Sequence, residues 1–279
     1  MVAFRKMHGL GNDFIVVDNR DGKLKLSDEQ IKLMSHRRLG IGCDQFIILE
    51  PAQNSDADVF MRIHNPDASE SGACGNATRC VASLIIAETG QSEIIIETLR
   101  GLLPSKNIGG GLYSVNMGGA LLDWQNIPLS GDIDTTKLPI EVDGAATPFA
   151  VGMGNPHCVF FVDDADKINL EKVGPEAEHH PLFPERTNVE FVSKKSDGSL
   201  RMRVWERSAG ITMACGSGAC AVGVAAFESG FTDNRRMDIE LDGGVLTIEY
   251  LENGDVIMTG PVATSFISDF DLDEAARSW

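Results

Sequence analysis

The chain has 279 residues, enough for roughly two domains, and its 43% hydrophobic and 23% charged content is that of an ordinary globular protein. A formal charge of −17 argues against nucleic acid or an anionic membrane as partner, while still allowing a small anionic substrate held by a few local donors. Residues 1–11 lack the apolar segment of a signal peptide, and the strongly apolar runs are all under about ten residues, too short to span a bilayer.

In chain order, the hydrophobic pattern predicts strands over 14–18, 46–50 and 59–64. A helix follows Cys74, with Asn76 near its start and Gly90 just past its end. A strand over 93–99 comes next, and Gly109-Gly110-Gly111 reads as a turn and not as a phosphate loop. The stretch 125–148, with Pro128, Pro139 and Pro148, reads as a crossover. Strands are then predicted over 159–162, 189–192 and 200–206, a second helix from Cys215 to about Gly230, and strands over 238–241 and 245–250. Both helices are apolar almost all round and so should be buried, and many of the strands alternate as half-buried antiparallel strands do. The fold this predicts is α+β: two similar units, each a mostly antiparallel, curved sheet wrapped round one central helix.

The two units repeat one another. Met61-Arg62-Ile63-His64-Asn65 is echoed by Met202-Arg203-Val204-Trp205-Glu206, and thirteen residues after each methionine comes Ala-Cys-Gly, at Cys74 and at Cys215. Gly9-Leu10-Gly11-Asn12 matches Gly152-Met153-Gly154-Asn155, and Gly101 matches Gly244. The offset stays at 141 to 143 residues, too long for a solenoid unit, so a whole domain is duplicated. The halves are expected at 1–118 and 119–262, with 263–279 beyond the repeat.

Six cysteines are present, none in a C-x-x-C pair, and their spacing suits neither a zinc site nor a disulfide framework. Reduced thiols in a cytoplasmic protein are therefore expected. Cys43, Cys80, Cys158 and Cys220 read as small buried hydrophobes. Cys74 and Cys215 differ because each opens a helix. Free N–H groups and the helix dipole favour an anion there, so each thiol is expected to have a lowered pKa, and the same N–H groups can grip a carboxylate. A substrate carboxylate between the two helix starts would have one sulfur on either side of its α-carbon, which suits a base on one face and an acid on the other. The alternative is that both cysteines merely make tight strand-to-helix turns.

Taken together, the segments Met7 to Phe14, Ala73 to Cys80, Gly154-Asn155-Pro156-His157 and Ala214 to Cys220 resemble diaminopimelate epimerase. The resemblance covers essentially the whole chain. It implies a pair of pseudo-symmetric α+β domains with the active site in the cleft between them, and a C-terminal segment that returns to the first domain. It also implies cofactor-independent, metal-free inversion of the α-carbon of LL-diaminopimelate to the meso form, for lysine and cell-wall precursors, by a homodimer. By resemblance Cys74 is the proton donor and Cys215 the acceptor for one direction, with roles exchanged in the other, and His157 and Glu206 assist proton transfer. Asn12, Gln45, Asn65, Asn155, Asn188, Glu206 and Arg207 are implied to bind substrate, and Gly75, Asn76, Gly216 and Ser217 match the carboxylate-binding helix starts. The segment Asn65-Pro66-Asp67-Ala68-Ser69-Glu70, with Pro66 and Ala68, departs from the family form, where small residues with glycine are more usual, and Ser208-Ala209-Gly210-Ile211 is also slightly off that form. A site split between halves predicts closure round the substrate.

Rival readings are a proline or hydroxyproline racemase on the same fold, a thiol redox protein, and a non-catalytic amino-acid binding module. Arg207 beside Glu206 argues against the racemase, because a single-headed substrate gives a distal ion-pair site nothing to hold.

Overall fold

A computed structural model describes residues 1–276. The chain forms two compact units: Met1–Val115 with residues 260–276, and Asn116–Thr259.

The first unit opens with β1 (Val2–Gly9) and β2 (Asn12–Asp18), then α1 (Asp28–Ser35), β3 (Gln45–Glu50), β4 (Val59–His64), the short β5 (Glu70–Ser71), α2 (Gly75–Thr89), β6 (Glu93–Thr98) and β7 (Gly101–Gly109); β8 (Leu112–Gly119) begins in it and runs on past Val115. Strands β2 and β3 are buried on both faces, which explains their unbroken apolar runs. Phe14, Val16, Ile47 and Leu49 join the cluster round α2, whereas Ile15, Val17, Phe46 and Ile48 pack with Ile31 and Met34 of α1. Helix α2 is buried on most sides because the sheet curls round it: Ala77, Cys80, Val81, Ala82, Ile85 and Ile86 all lie in that cluster. Val81, Ile85 and Ile86 each contribute about 1.5–3 kcal/mol by leaving water. The helix stops where Gly90 turns left-handed, at φ 72, and its N–H returns to the Ile86 carbonyl.

The second unit contains the small hairpin β9 (Glu141–Val142) and β10 (Ala145–Ala146), then β11 (Phe149–Gly152), β12 (Pro156–Phe161), α3 (Leu170–Glu178), β13 (Asn188–Lys194), β14 (Leu200–Glu206), β15 (Gly210–Ile211), α4 (Gly216–Glu228), β16 (Arg236–Leu241), β17 (Gly244–Tyr250) and β18 (Asp255–Pro261). Its pairings repeat those of the first unit in order and sense. β1 with β2 and β11 with β12 are antiparallel; β2 with β3 and β12 with β13 are parallel. β3 with β4 and β13 with β14 are antiparallel; β4 with β6 and β14 with β16 are parallel. Helix α4 takes the place of α2. Its Gly223 lets it lie close to β17, since a Cβ there would fall 2.6 Å from Ile248 Cγ2.

The stretch 125–148 is more than a crossover. Ile127, Leu129, Leu138, Ile140 and Val142 are buried in the core of the second unit, so its prolines shape a packed segment instead of a free linker. The glycine run 109–111 is the β7–β8 hairpin turn, with all three residues at positive φ. After β18 the chain forms β19 (Ala263–Phe270), antiparallel to β1, and α5 (Leu272–Ala276). Of the segment 263–279, residues 277–279 lie outside the described residues.

Candidate active site

In each unit the topology brings the same four points together. The turn before the second strand, the start of the third and the end of the fourth meet because the second and third strands run parallel and the fourth returns antiparallel. The central helix begins soon after the fourth strand, at the same end. The residues expected from the sequence stand at these points: Asn12, Gln45, Asn65 and Cys74 in the first unit, and Asn155, Asn188, Glu206 and Cys215 in the second.

In the first unit Cys74 is the residue that caps α2, with extended backbone, and Gly75 and Asn76 form the first turn. The Cys74 thiol lies 3.9 Å from Asn12 Oδ1. Asn76 Nδ2 donates to the same oxygen at 3.1 Å, and Arg79 Nη2 donates to Asn76 Oδ1 at 2.9 Å. Asn12 Nδ2 in turn donates to Asp44 Oδ2 at 2.9 Å. Asp44 belongs to a charged cluster in which Asp13 pairs with Lys6 and Arg37 pairs with both Asp13 and Asp44 at 2.6 Å. Burial alone would raise the Asp13 carboxyl, but hydrogen bonds from Arg37 and Lys6 outweigh it and hold it at about 2. Gln45 Nε2 donates to Asn65 Oδ1 at 3.4 Å, and Asn65 Nδ2 donates to Ser69 Oγ at 3.0 Å.

In the second unit Cys215 caps α4, and its sulfur accepts from the Gly218 N–H at 3.4 Å. Ser217 Oγ is 3.7 Å from the same sulfur, and the Glu206 carboxylate is near enough for its charge to act on the thiol. Thr212 donates to the Glu206 carboxylate. Burial raises the Glu206 carboxyl against the hydrogen bond from Thr212 and the nearby His157. Asn188 Nδ2 donates to the Pro156 carbonyl at 2.9 Å, while its Oδ1 accepts from the Arg207 N–H at 3.0 Å. Arg207 Nη1 reaches the Glu185 carbonyl at 3.3 Å.

The expectation of a lowered thiol pKa is corrected at Cys215. Burial, then the carboxylates of Glu206 and Glu190, push this thiol well above its ordinary value, and the donors Gly218 N–H and Ser217 oppose them only in part. A helix start lowers a thiol pKa where solvent also reaches it; Cys215 is only 4% exposed.

His157 is fully buried, with Nδ1 at 2.7 Å from Glu190 Oε1 and Nε2 at 3.0 Å from Asn155 Oδ1. Among the described residues its direct side-chain partners are therefore Glu190 and Asn155, and the cysteine is reached from Asn155 through Ser217. The sequence reading did not single out Glu190, Thr212 or the Lys6–Asp13–Arg37–Asp44 cluster. Glu190 had a signal: a lone charge inside the apolar run Val189 to Val192, aligned with Ile47 when the repeat offset of 143 is carried forward.

Chemically, each helix start offers N–H donors beside a sulfur, so each can hold a carboxylate while its thiol faces the neighbouring carbon. Among the described residues no group of three or more His, Cys, Asp or Glu side chains could hold a metal, and no helix is long and apolar enough to cross a membrane.

Comparison with known proteins fits this geometry. The diaminopimelate epimerase family model matches residues 4–122 and 149–265; the unmatched interval between them includes the β9–β10 hairpin. A diaminopimelate epimerase from Rhodospirillum centenum is 52% identical over 266 residues, 95% of this chain and 91% of the relative. One from Acidiphilium cryptum is 48% identical, covering 96% of both. A probable proline racemase from Agrobacterium radiobacter shares the fold, with a TM-score of 0.69 at 16% identity over 98% of this chain and 94% of that one. With a family model spanning both repeats and relatives near half identity over nearly the whole length, the chain belongs to the diaminopimelate epimerase family.

Proposed function

We propose that this isomerase interconverts LL- and meso-diaminopimelate without a cofactor, with Cys74 and Cys215 as the acid–base pair on opposite faces of one α-carbon. The observation that carries the reading is the duplicated cysteine cap: the same residue at the same helix start in both units, each followed by the N–H groups of a first helical turn. A single base tends to return its proton to the face it came from, so inversion calls for two groups. They must hold unlike protonation states and titrate as a pair. A Cys215 raised by burial and by two carboxylates starts as the thiol, with the Glu206 carboxylate in place to exchange its proton. The N–H groups of Gly75, Asn76, Gly216 and Ser217 serve the carboxylate where charge develops as the α-proton leaves. Arg207 and Glu206 suit the distal carboxylate and ammonium, with Asn12, Gln45, Asn65, Asn155 and Asn188 as hydrogen-bonding neighbours. We further propose a cytoplasmic homodimer.

The test is α-deuterium uptake from heavy water. The expected result is exchange with LL- and meso-diaminopimelate, lost by about two orders of magnitude or more in Cys74→Ser and in Cys215→Ser. Uptake by proline and none by diaminopimelate would favour the racemase, and full activity in both serine variants would remove the thiols from the mechanism.

A further inference from the structure

The second unit carries a buried polar pair where the first is apolar. Strand register makes the comparison exact in residue terms. Phe14 lies opposite Gln45 and Val16 opposite Ile47 in β2–β3; His157 lies opposite Asn188 and Val159 opposite Glu190 in β12–β13. His157 thus holds the place of Phe14, and Glu190 that of Ile47. Phe14 and Ile47 pack in the core round α2, so this fold accepts two hydrophobic side chains here. His157 and Glu190 are equally buried, at 0% exposure. Ionisable groups taken out of water are a burden unless well paired, so packing gives no reason for them. The neighbouring thiol gives one.

The contacts run in sequence toward that thiol. Glu190 Oε1 meets His157 Nδ1 at 2.7 Å, and His157 Nε2 meets Asn155 Oδ1 at 3.0 Å. Asn155 Nδ2 donates to Ser217 Oγ at 3.4 Å, and Ser217 Oγ lies 3.7 Å from Cys215 Sγ. Helix α4 approaches closely enough that a Cβ on Gly218 would fall 2.7 Å from Glu190 Oε1 and 3.2 Å from the sulfur. Glu190 Oε2 accepts no hydrogen bond from the described residues, which leaves His157 as the side chain that pairs with this carboxylate.

We propose that Glu190 is a positioning residue for Cys215: its carboxylate takes the Nδ1–H of His157 and so fixes the direction of a donor chain ending on the sulfur. With both ring nitrogens donating, Nε2–H goes to Asn155 Oδ1, the Asn155 amide N–H goes to Ser217 Oγ, and the Ser217 hydroxyl proton is left to point at Cys215. The Gly218 N–H is the second donor. These two oppose the burial and the Glu206 and Glu190 carboxylates that disfavour the thiolate, so that the sulfur can take and return a proton. In the first unit the Cys74 thiol lies 3.9 Å from an acceptor, Asn12 Oδ1. There Phe14 and Ile47 hold the places of His157 and Glu190, so the pair has no counterpart.

The inference rests on the acid–base reading above and is tested on the full-length protein. Nitrogen-15 histidine NMR of the wild type should show one buried imidazole protonated at both nitrogens, with the Nδ1 proton slow to exchange. Glu190→Gln should lose that signal and lower kcat for α-proton exchange roughly tenfold to a hundredfold, the range for groups that orient a reacting side chain without touching substrate. KM should change less than about threefold, the pH profile should shift, and Glu190→Asp should recover most of the rate. His157→Phe combined with Glu190→Ile restores the residues of the first unit. It should fold with a thermal midpoint at or above wild type and be no slower than His157→Phe alone by more than about twofold. An unprotonated Nδ1 in the wild type overturns the proposal. So does a wild-type rate and pH profile in Glu190→Gln, or a further large loss when Glu190→Ile is added to His157→Phe. Absence of any α-proton exchange in the wild type would instead sink the acid–base reading itself.

Discussion

At the scale of single residues, the site is governed by which charges lie beside which polar groups. Glu206 lies close to Cys215, and its negative charge disfavours the thiolate. Removing that charge in Glu206→Gln should therefore lower the Cys215 pKa toward the ordinary thiol range. The check is the pH dependence of thiolate absorbance, taken as the difference from Cys215→Ser; an unmoved or upward titration contradicts the assignment. Asp13 shows the opposite sign. Its carboxyl is held at about 2, below the ordinary 3.8, by Arg37 and Lys6. A depressed carboxylate contributes stability that is present above pH about 4 and is lost as pH falls through about 2. The contribution is on the order of 2 kcal/mol. Asp13→Asn should be destabilised at neutral pH by that order, with the difference from wild type shrinking between pH about 4 and 2 in denaturation midpoints. Because Asp13 and Asp44 brace the turn that carries Asn12, the same variant should also weaken substrate binding.

At the scale of elements, the duplicated turns explain the two departures from the family form. Ala68 and Ser208 both sit in the left-handed region, at φ 68 and 64, in the turns that follow β4 and β14. A Cβ in that conformation costs about 1 kcal/mol, which glycine avoids. Glycine also gives the unfolded chain more freedom, which offsets part of the gain. Ala68→Gly should then stabilise by a few tenths of a kcal/mol up to about 1 kcal/mol, read as a higher denaturant midpoint with unchanged slope; a lower midpoint would show that the turn is not strained. The central helices make the complementary point. Their apolar sequence announced burial, and α2 and α4 are buried. That Cys74 and Cys215 cap them was visible too, because each stands directly before a glycine and a helical run. What the helix pattern did not show is how little the helix start lowers the Cys215 thiol, since that depends on carboxylates brought in by β13 and β14.

At the scale of the whole molecule, the repeat was legible because duplicated sequence gives duplicated pairing: the offset read from methionine, cysteine and glycine is the offset between equivalent strands. The strands at 14–18, 46–50 and 59–64 and their counterparts were read from their apolar content. Strands β1, β7, β8, β11, β18 and β19 were not. β7 reads Gly101–Gly109 with mostly exposed residues, and β19 is exposed along nearly all its length; such segments become strands only because a neighbour supplies hydrogen-bond partners. The proposed homodimer belongs at this scale. Sedimentation equilibrium should give about twice the 30.1 kDa chain mass, and a monomer at micromolar concentration would reject it.

The sequence by itself determined the duplication, the α+β class, the two capping cysteines and the family, because each of these is written in local pattern and spacing. Only the tertiary structure decided which groups press on each thiol. The Glu190–His157–Asn155–Ser217 run joins β13, β12, the turn before it and the start of α4, residues as far as 62 positions apart. Their meeting is set by parallel strand pairing and by the close approach of a glycine-bearing helix, and the burial that raises Cys215 exists only once those elements are packed.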